Sequence, residues 1–348
     1  MRRFVWTAIF LGVFCQLLIF QARAYIDISL QMQLGNPSGA TADINNYEHY
    51  LIQRTVEAID YNANHGEPNW TSWDLTTNDL GSAARSGSFL VDTNLPANFY
   101  RVKDADYTYS GFNRGHMCPS ADRTDNTNDN RLVFFISDII PQTPDNNQGP
   151  WARLETYCRA LAQTNELLII CGPNGFSGAR INTNGPVLIP DYTWKIIVVV
   201  PPGGGTALSR ITTASRVIAV NMPNIQGIRS DAWTNYLTSV NTIQANTGYS
   251  FFTALPPEVA SVLRGKVDGA LAQPLTPPGI QTLYFTSGQI SLVVTGAIAG
   301  NYTITATTNL INPLWITLLS TNSPAMPFTF MDTNTALHQR FYRVQAGQ

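Results

Sequence analysis

Apolar residues fall in short blocks along this chain, and the spacing inside the blocks is not uniform. Leu132 to Ile140 is a nearly continuous apolar run closed by Pro141, which predicts a strand buried on both faces. Leu167 to Cys171 and Trp194 to Val200 read the same way. After Gly149-Pro150 the period changes. Trp151, Leu154, Cys158 and Leu161 recur at i, i+3, i+7 and i+10, the spacing of one helix face, and Pro150 suits a first helical turn. Trp233 to Ala245 predicts a second helix, and Tyr47 to Ile59 has a helical pattern near its start. Residues 25–40 read as a loosely ordered lead-in. Helices and strands without a regular βαβ alternation predict an α+β domain over residues 41–270.

The pattern shifts again near residue 271. Pro274, Pro277 and Pro278 mark a Pro-rich linker over 271–279. From Pro274 to the end the only formally charged side chains are Asp332, Arg340 and Arg343. Short alternating runs (Ile290–Thr295, Tyr302–Thr307, Trp315–Leu319, Arg340–Val344) separated by turn residues predict a small all-β sandwich module over 280–348. No internal repeat is present, and Gly203-Gly204-Gly205 follows two prolines as a strand-connecting loop rather than opening a nucleotide-binding helix.

At the other end, Arg2 and Arg3 precede the apolar stretch Phe4 to Phe20, and Ala22-Arg23-Ala24 has the small-x-small form of a cleavage site. Residues 1–24 therefore read as a secretory signal peptide, with an uncleaved membrane anchor as the alternative, and the chain is expected outside the cytoplasm, secreted or periplasmic. No later segment is apolar enough to span a bilayer. Removal of the signal leaves 18 Lys+Arg against 23 Asp+Glu, a net charge of −5. A protein that coats nucleic acid through bulk charge would be basic, so any contact with nucleic acid must come from a local basic site. Of four cysteines, Cys15 leaves with the signal. The remaining three cannot make a four-cysteine zinc site, and no Cys-x-x-Cys or His-x-x-x-His spacing exists. Export permits a disulfide. The expected pair is Cys118–Cys158, with Cys171 as a buried thiol; Cys158–Cys171 is the alternative.

Candidate chemistry concentrates in Gly111 to Arg123, which holds His116, one of only four histidines, directly after Arg114-Gly115. An imidazole exchanges a proton near neutral pH, and a guanidinium holds a phosphate or carboxylate. Taken alone, one histidine is as readily a core residue. Downstream lie Ser137-Asp138-Ile139-Ile140-Pro141-Gln142 and then Asn147-Gln148-Gly149-Pro150-Trp151, with Glu155 and Arg159 further along the helical pattern. Asn147 is either a helix cap or a hard oxygen ligand for a cation. Glu155 and Arg159 are also spaced as an i,i+4 surface pair. On a continuous helix, Asn147 and Glu155 stand roughly 12 Å apart along the axis and about 80° around it. Both could hardly ligate one small cation directly, so Glu155 would act through water. His49 and His65 read as surface or helix-face residues, and His338 belongs to the β module.

These ordered motifs resemble the DNA/RNA non-specific endonuclease family, the ββα-metal nucleases that include mitochondrial endonuclease G and secreted bacterial nucleases. The family pattern is Asp-Arg-Gly-His, then Ser-Asn-x-x-Pro-Gln, then Asn-x-Gly-x-Trp-x-x-Leu-Glu. The match extends over roughly residues 45–265 and includes Pro68-Asn69-Trp70, Cys171-Gly172-Pro173 and Pro190 through Trp194-Lys195. The resemblance implies a mixed, mainly antiparallel sheet flanked by helices. It implies that the chain cleaves DNA and RNA with little sequence or sugar preference, using Mg²⁺ with Mn²⁺ as a substitute, and leaves 5′-phosphates. It implies His116 as general base, Asn147 as direct metal ligand and Glu155 as the residue that orients metal waters. Arg114 and Arg159 would contact phosphate or the transition state, with Arg85 as a further substrate arginine.

Two positions depart from that pattern. Residue 113 is Asn where the family usually has Asp, and residue 138 is Asp where it usually has Asn. Either the acid has moved while the local charge near the metal is kept, or the two changes are independent. A rival reading is a weakly active or inactive polyanion binder that retains the nuclease fold. A third gives the weight to the nearly uncharged β module as an attachment unit for a cell surface, a glycan or the chain's own nuclease domain.

Overall fold

The computed structural model describes residues 30–183, 185–269, 279–286, 289–295, 301–322, 327–334 and 339–346. The segment predicted as a signal peptide, most of the predicted Pro-rich linker and His338 lie outside them. Chain contacts divide the molecule after Asp268.

The first unit is organised by a six-stranded sheet of β1 (Tyr50–Gln53), β2 (Ala58–Asn62), β3 (Glu67–Leu75), β6 (Glu166–Arg180), β7 (Leu188–Val200) and β8 (Arg216–Pro223), in that spatial order. Every neighbouring pair is antiparallel. The apolar runs of β6 to β8 are continuous because both faces are covered. Ile169, Cys171, Ile197, Val199, Ile218 and Val220 pack on one side with Met117, Phe134, Ile140, Trp151, Leu154 and Cys158. Leu168, Ile170, Trp194, Ile196, Val198, Val217 and Ala219 pack on the other. That second face is closed by Val240 and Ile243 from one helix (Val240–Thr247) and Ala260 and Leu263 from another (Pro257–Gly265).

The first face carries the layer that matters for function. A two-stranded ribbon, β4 (Asn113–His116) and β5 (Ile139–Gln142), is followed by a wide turn at Asn147–Trp151 and the helix α2 (Ala152–Leu161), itself preceded in the chain by the short helix α1 (Thr127–Leu132). The predicted apolar stripe of α2 is the face that packs. Trp151, Leu154 and Cys158 are buried, and Leu154 alone contributes about 1.5–3 kcal/mol if its apolar surface is fully removed from water.

Several local expectations are corrected. Tyr47 to Ile59 is not helical. It forms β1, a turn and the start of β2, with Tyr50 opposite Tyr61. Leu132 to Ile140 is not one strand. The end of α1, a turn and a 3₁₀ turn at Ile136–Asp138 use up most of the apolar run, and Pro141 sits inside β5, opposite Arg114, rather than ending it. Such a ribbon lacks a central position, so a missing N–H is tolerated. The helix expected over Trp233–Ala245 is broken. A 3₁₀ turn (Trp233–Tyr236) and Leu237 in extended conformation precede a new start capped by Ser239, whose side chain accepts the Thr242 N–H. The described part of the lead-in packs into the domain: Met32, Leu34 and Ala40 join the second-face core, and Gln31 Oε1 accepts the Asp74 N–H.

The second unit has two three-stranded antiparallel sheets. One is β9 (Gly279–Thr286), β10 (Gln289–Thr295) and β13 (Phe328–Asp332) with β10 central. The other is β11 (Asn301–Thr307), β12 (Ile316–Asn322) and β14 (Phe341–Ala346) with β11 central. Leu292 and Val294 from the first share a cluster with Ile304 from the second, the arrangement of a small sandwich. Asp332 accepts Arg340 at 2.6 Å and the Tyr342 hydroxyl at 2.7 Å, and Arg343 lies 4.4 Å over the Trp315 ring. The module's three charges are thus all engaged locally.

Candidate active site

The ribbon positions the first group of side chains. Asn113 pairs with Gln142 and His116 with Ile139. Gly115 is required between them, because a Cβ there would lie 2.0 Å from Gln142 Oε1. The space it leaves lets Gln142 cross the ribbon and donate to Asn146 Oδ1 at 3.0 Å. Asn146 is fully buried and donates to Thr193 Oγ1 and Pro223 O. Asn224 donates to Pro141 O and Pro190 O and accepts the Thr143 N–H. These two amides fasten the β5-to-α2 connection onto β7 and β8, and neither was singled out from sequence. The only signal for Asn146 is the polar run Asp145-Asn146-Asn147-Gln148 shortly after an apolar stretch, and Asn224 has none.

His116 and Arg114 are two residues apart on β4, and the Phe89 ring touches both. The imidazole lies 5.2 Å from Phe89 and 4.9 Å, edge-on, from Phe134. Arg114 Cζ stands 5.7 Å over Phe89 and 5.6 Å over Tyr107. Arg85 Cζ lies 4.8 Å over Phe134. The three predicted residues are therefore gathered around two phenyl rings that sequence reasoning missed. His116 is 8 % exposed, and its buried Nε2 has no hydrogen-bond partner. Burial, and then the Arg85 charge, push its pKa down to about 3, so the ring is neutral at physiological pH. Arg114 donates to Asp104 O at 2.7 Å and pairs with its carboxylate. Arg85 is exposed and carries no ion pair among the described residues.

Asn147 stands on the other part of the site. The preceding short helical turn is capped by Thr143, whose side chain accepts the Asn146 N–H, so Asn147 does not serve as a side-chain cap. Its Nδ2 instead donates to Asn113 Oδ1 at 3.1 Å. With the nitrogen committed, the amide oxygen is the end left for a ligand. The continuous-helix spacing to Glu155 does not apply, because the backbone leaves helical geometry at Gly149 (φ −104°, ψ −117°). Gly149 is needed there: a Cβ would come within 2.8 Å of Arg229 Cα and 2.9 Å of its carbonyl oxygen.

Glu155 and Arg159 do not form the i,i+4 pair. Glu155 Oε1 lies 3.9 Å from Lys195 Nζ, while Arg159 donates to Asp122 Oδ1 at 3.0 Å and to Thr156 Oγ1 at 3.0 Å. Burial pushes the Glu155 pKa up to about 7 against the pull of Lys195. Lys195 is itself buried, 4.2 Å from the Trp151 ring and 5.0 Å from the Trp73 ring. A lysine inside the apolar run Trp194–Val200 is a legible anomaly, and its explanation is this half-buried carboxylate.

Asp138 is not near Asn113 in its contacts. Its oxygens accept the Cys118 N–H and the Thr71 hydroxyl, whereas Asn113 accepts from Asn147 and Gln148. The two departures from the family pattern therefore have separate partners. The expected Cys118–Cys158 disulfide is absent, as is the Cys158–Cys171 alternative. All three cysteines are free and buried within the first-face core, and Cys171 Sγ donates to Met117 O at 3.5 Å. They pack as small apolar groups. His49 and His65 lie elsewhere: His49 Nδ1 is 2.8 Å from Asp60, and His65 packs on Phe176.

Among the described residues no three His, Cys, Asp or Glu side chains converge as a cation cage. The donor set nevertheless fits a hydrated hard cation: one free amide oxygen at Asn147, and a half-buried carboxylate at Glu155 that gains by approaching positive charge.

The sequence profile of the DNA/RNA non-specific endonucleases matches residues 32–258. A nuclease of Nostoc sp. is 44 % identical over 243 residues, covering 69 % of this chain and 87 % of that protein. The mitochondrial nuclease of Saccharomyces cerevisiae is 26 % identical over 262 residues, covering 70 % and 75 %. Among solved structures, endonuclease G in complex with its inhibitor EndoGI superposes with a TM-score of 0.54 at 21 % identity, covering 66 % of this chain and 92 % of that one, which supports the fold. With the profile spanning most of the chain, and the ribbon, wide turn and α2 carrying its motifs, the protein belongs to the DNA/RNA non-specific endonuclease family.

Proposed function

We propose that this nuclease is an exported, Mg²⁺-dependent endonuclease that hydrolyses DNA and RNA phosphodiesters to 5′-phosphates, with His116 as general base. The observation that carries the reading is the state of His116: a neutral imidazole with an unpartnered buried Nε2, held by Phe89 and Phe134 between Arg85 and Arg114. Arg85 and Arg114 would hold the scissile phosphate beside the imidazole, which takes a proton from the attacking water. Burial, and after it the Arg85 charge, keep the ring neutral and also make it a weak base. A phosphate bound to that arginine works in the opposite direction and strengthens it. Asn147 would hold the cation directly and Glu155 through water, and the cation would supply neutralising charge to the phosphate. Arg159, fixed by Asp122, adds positive charge at the α2 side. Contacts confined to phosphate would leave cleavage indifferent to base and sugar.

Cleavage of duplex DNA, single strands and RNA, each with Mg²⁺, Mn²⁺ or chelator, tests this. Cleavage of all three with a divalent ion, lost in chelator and in His116→Ala, is expected. Tight binding without cleavage would replace the reading with that of a polyanion binder.

A further inference from the structure

The acceptor that holds Asn147 is itself an amide, and an amide has one accepting and one donating end, whereas a carboxylate accepts at both. Asn113 could be turned over at no internal cost, and it would then face Asn147 Nδ2 with a second donor. What fixes it is a second contact. Gln148 Nε2 donates to the same Asn113 Oδ1 at 2.8 Å, and Gln148 Oε1 accepts Arg229 Nη1 at 2.9 Å. Arg229 is in turn fixed by Asp145, which accepts its Nε at 2.9 Å and the Gly227 N–H at 2.7 Å. The missing Cβ of Gly149 lets the Arg229 backbone lie against the wide turn. Each amide in this series has its orientation dictated by the next, ending at an arginine that can only donate.

We propose that Gln148 and Arg229 are positioning residues that act through Asn113 to set the Asn147 amide oxygen toward a divalent cation, and that they are needed because residue 113 is neutral. The proposal rests on the reading of Asn147 as a metal ligand. It places the compensation for Asn113 in Gln148 and Arg229 rather than in Asp138.

Mn²⁺ affinity of the full chain, measured by the electron paramagnetic resonance signal of free Mn²⁺, tests it as a double-mutant cycle. Gln148→Leu alone should weaken Mn²⁺ binding by about ten-fold or more. Combined with Asn113→Asp, which accepts in either orientation, the same change should cost less than about two-fold, and cleavage should be restored in parallel. Arg229→Met supplies a second break in the same series should Gln148→Leu fold poorly, as judged by its thermal melt. Equal losses with and without Asn113→Asp, or no loss in either, would overturn the proposal. An unaltered chain that neither binds Mn²⁺ nor cleaves with it would instead overturn the metal-dependent reading on which the proposal stands.

Discussion

Asp138 accepts the Cys118 backbone N–H with both carboxylate oxygens, at 3.1 and 3.2 Å. Cys118 lies two residues beyond His116, and the Asp138 carbonyl also accepts the Met117 N–H at 3.0 Å. Asp138 is thus a staple for the backbone that leaves β4, not part of the Asn113 and Asn147 group.

Substitution at the two unusual positions should therefore be independent. Burial first, and then the Glu57 carboxylate, push the Asp138 pKa well above its ordinary value, so a neutral amide is a close replacement. Asp138→Asn should change cleavage by no more than about three-fold. Its effect and that of Asn113→Asp should add to within about 0.5 kcal/mol, as for groups without a shared partner. Cleavage rates of both single variants and the double variant provide the measurement. A double variant that departs from the sum would revive a shared charge between them.

His116 should not titrate in the neutral range. Its pKa is pushed down to about 3 by burial and by Arg85, while that of His49 is raised, mainly by its hydrogen bond to Asp60. In the metal-free chain with labelled histidines, one ring resonance should stay flat between pH 8 and pH 5 and vanish in His116→Ala. That variant should lose about a hundred-fold or more of cleavage. A His116 midpoint near 6.5 would contradict the environment described.

The order of motifs was legible because each has a local cause. The stripe Trp151, Leu154, Cys158 declares a packed helix face, and the apolar runs of β6 and β7 declare a sheet covered on both sides. What was hidden is what depends on distant partners. The apolar residues of Leu132–Ile140 are consumed by turns rather than by a strand, since Leu90 and Phe135 meet there through a single parallel bridge. Phe89 and Phe134 carry no sign in sequence that they hold His116. Arg229 enters the site from a loop 80 residues beyond Gly149, visible only through the close approach that Gly149 permits. The helical pattern near Tyr47 failed because pairing with β2 decided that segment.

Glu67 makes the stability of the fold depend on pH in a stated direction. It is 1 % exposed and neither carboxyl oxygen has a partner. Burial pushes its pKa well above the ordinary value, with Arg180 acting against it. The folded chain thus holds this proton more tightly than the unfolded chain. Its contribution is complete below about pH 4.5, the unfolded value, and is lost as pH rises through the folded pKa. Glu67→Gln removes the titration, so the variant should gain on the parent with rising pH, by up to about 1.4 kcal/mol per unit. Urea midpoints at pH 5, 6.5 and 8 decide it, and parallel curves for the two proteins would count against it.

The thiols of Cys118, Cys158 and Cys171 should remain reduced and unreactive in the native protein even in an oxidising medium. Burial raises the pKa of all three, that of Cys158 to about 12, so almost no thiolate exists at neutral pH to attack a reagent or a disulfide. Native protein should release no chromophore from an aromatic disulfide reagent at these three thiols, and unfolded protein should release one equivalent from each of them. The melting temperature distinguishes the alternatives further. A Cys118–Cys158 bond would close a loop of about 40 residues and contribute roughly 4 kcal/mol through the unfolded chain. Its reduction would lower the melt by many degrees. The melt with reductant should instead match the melt without it. A large fall would mean that oxidation pulls these residues out of the apolar packing that now holds them.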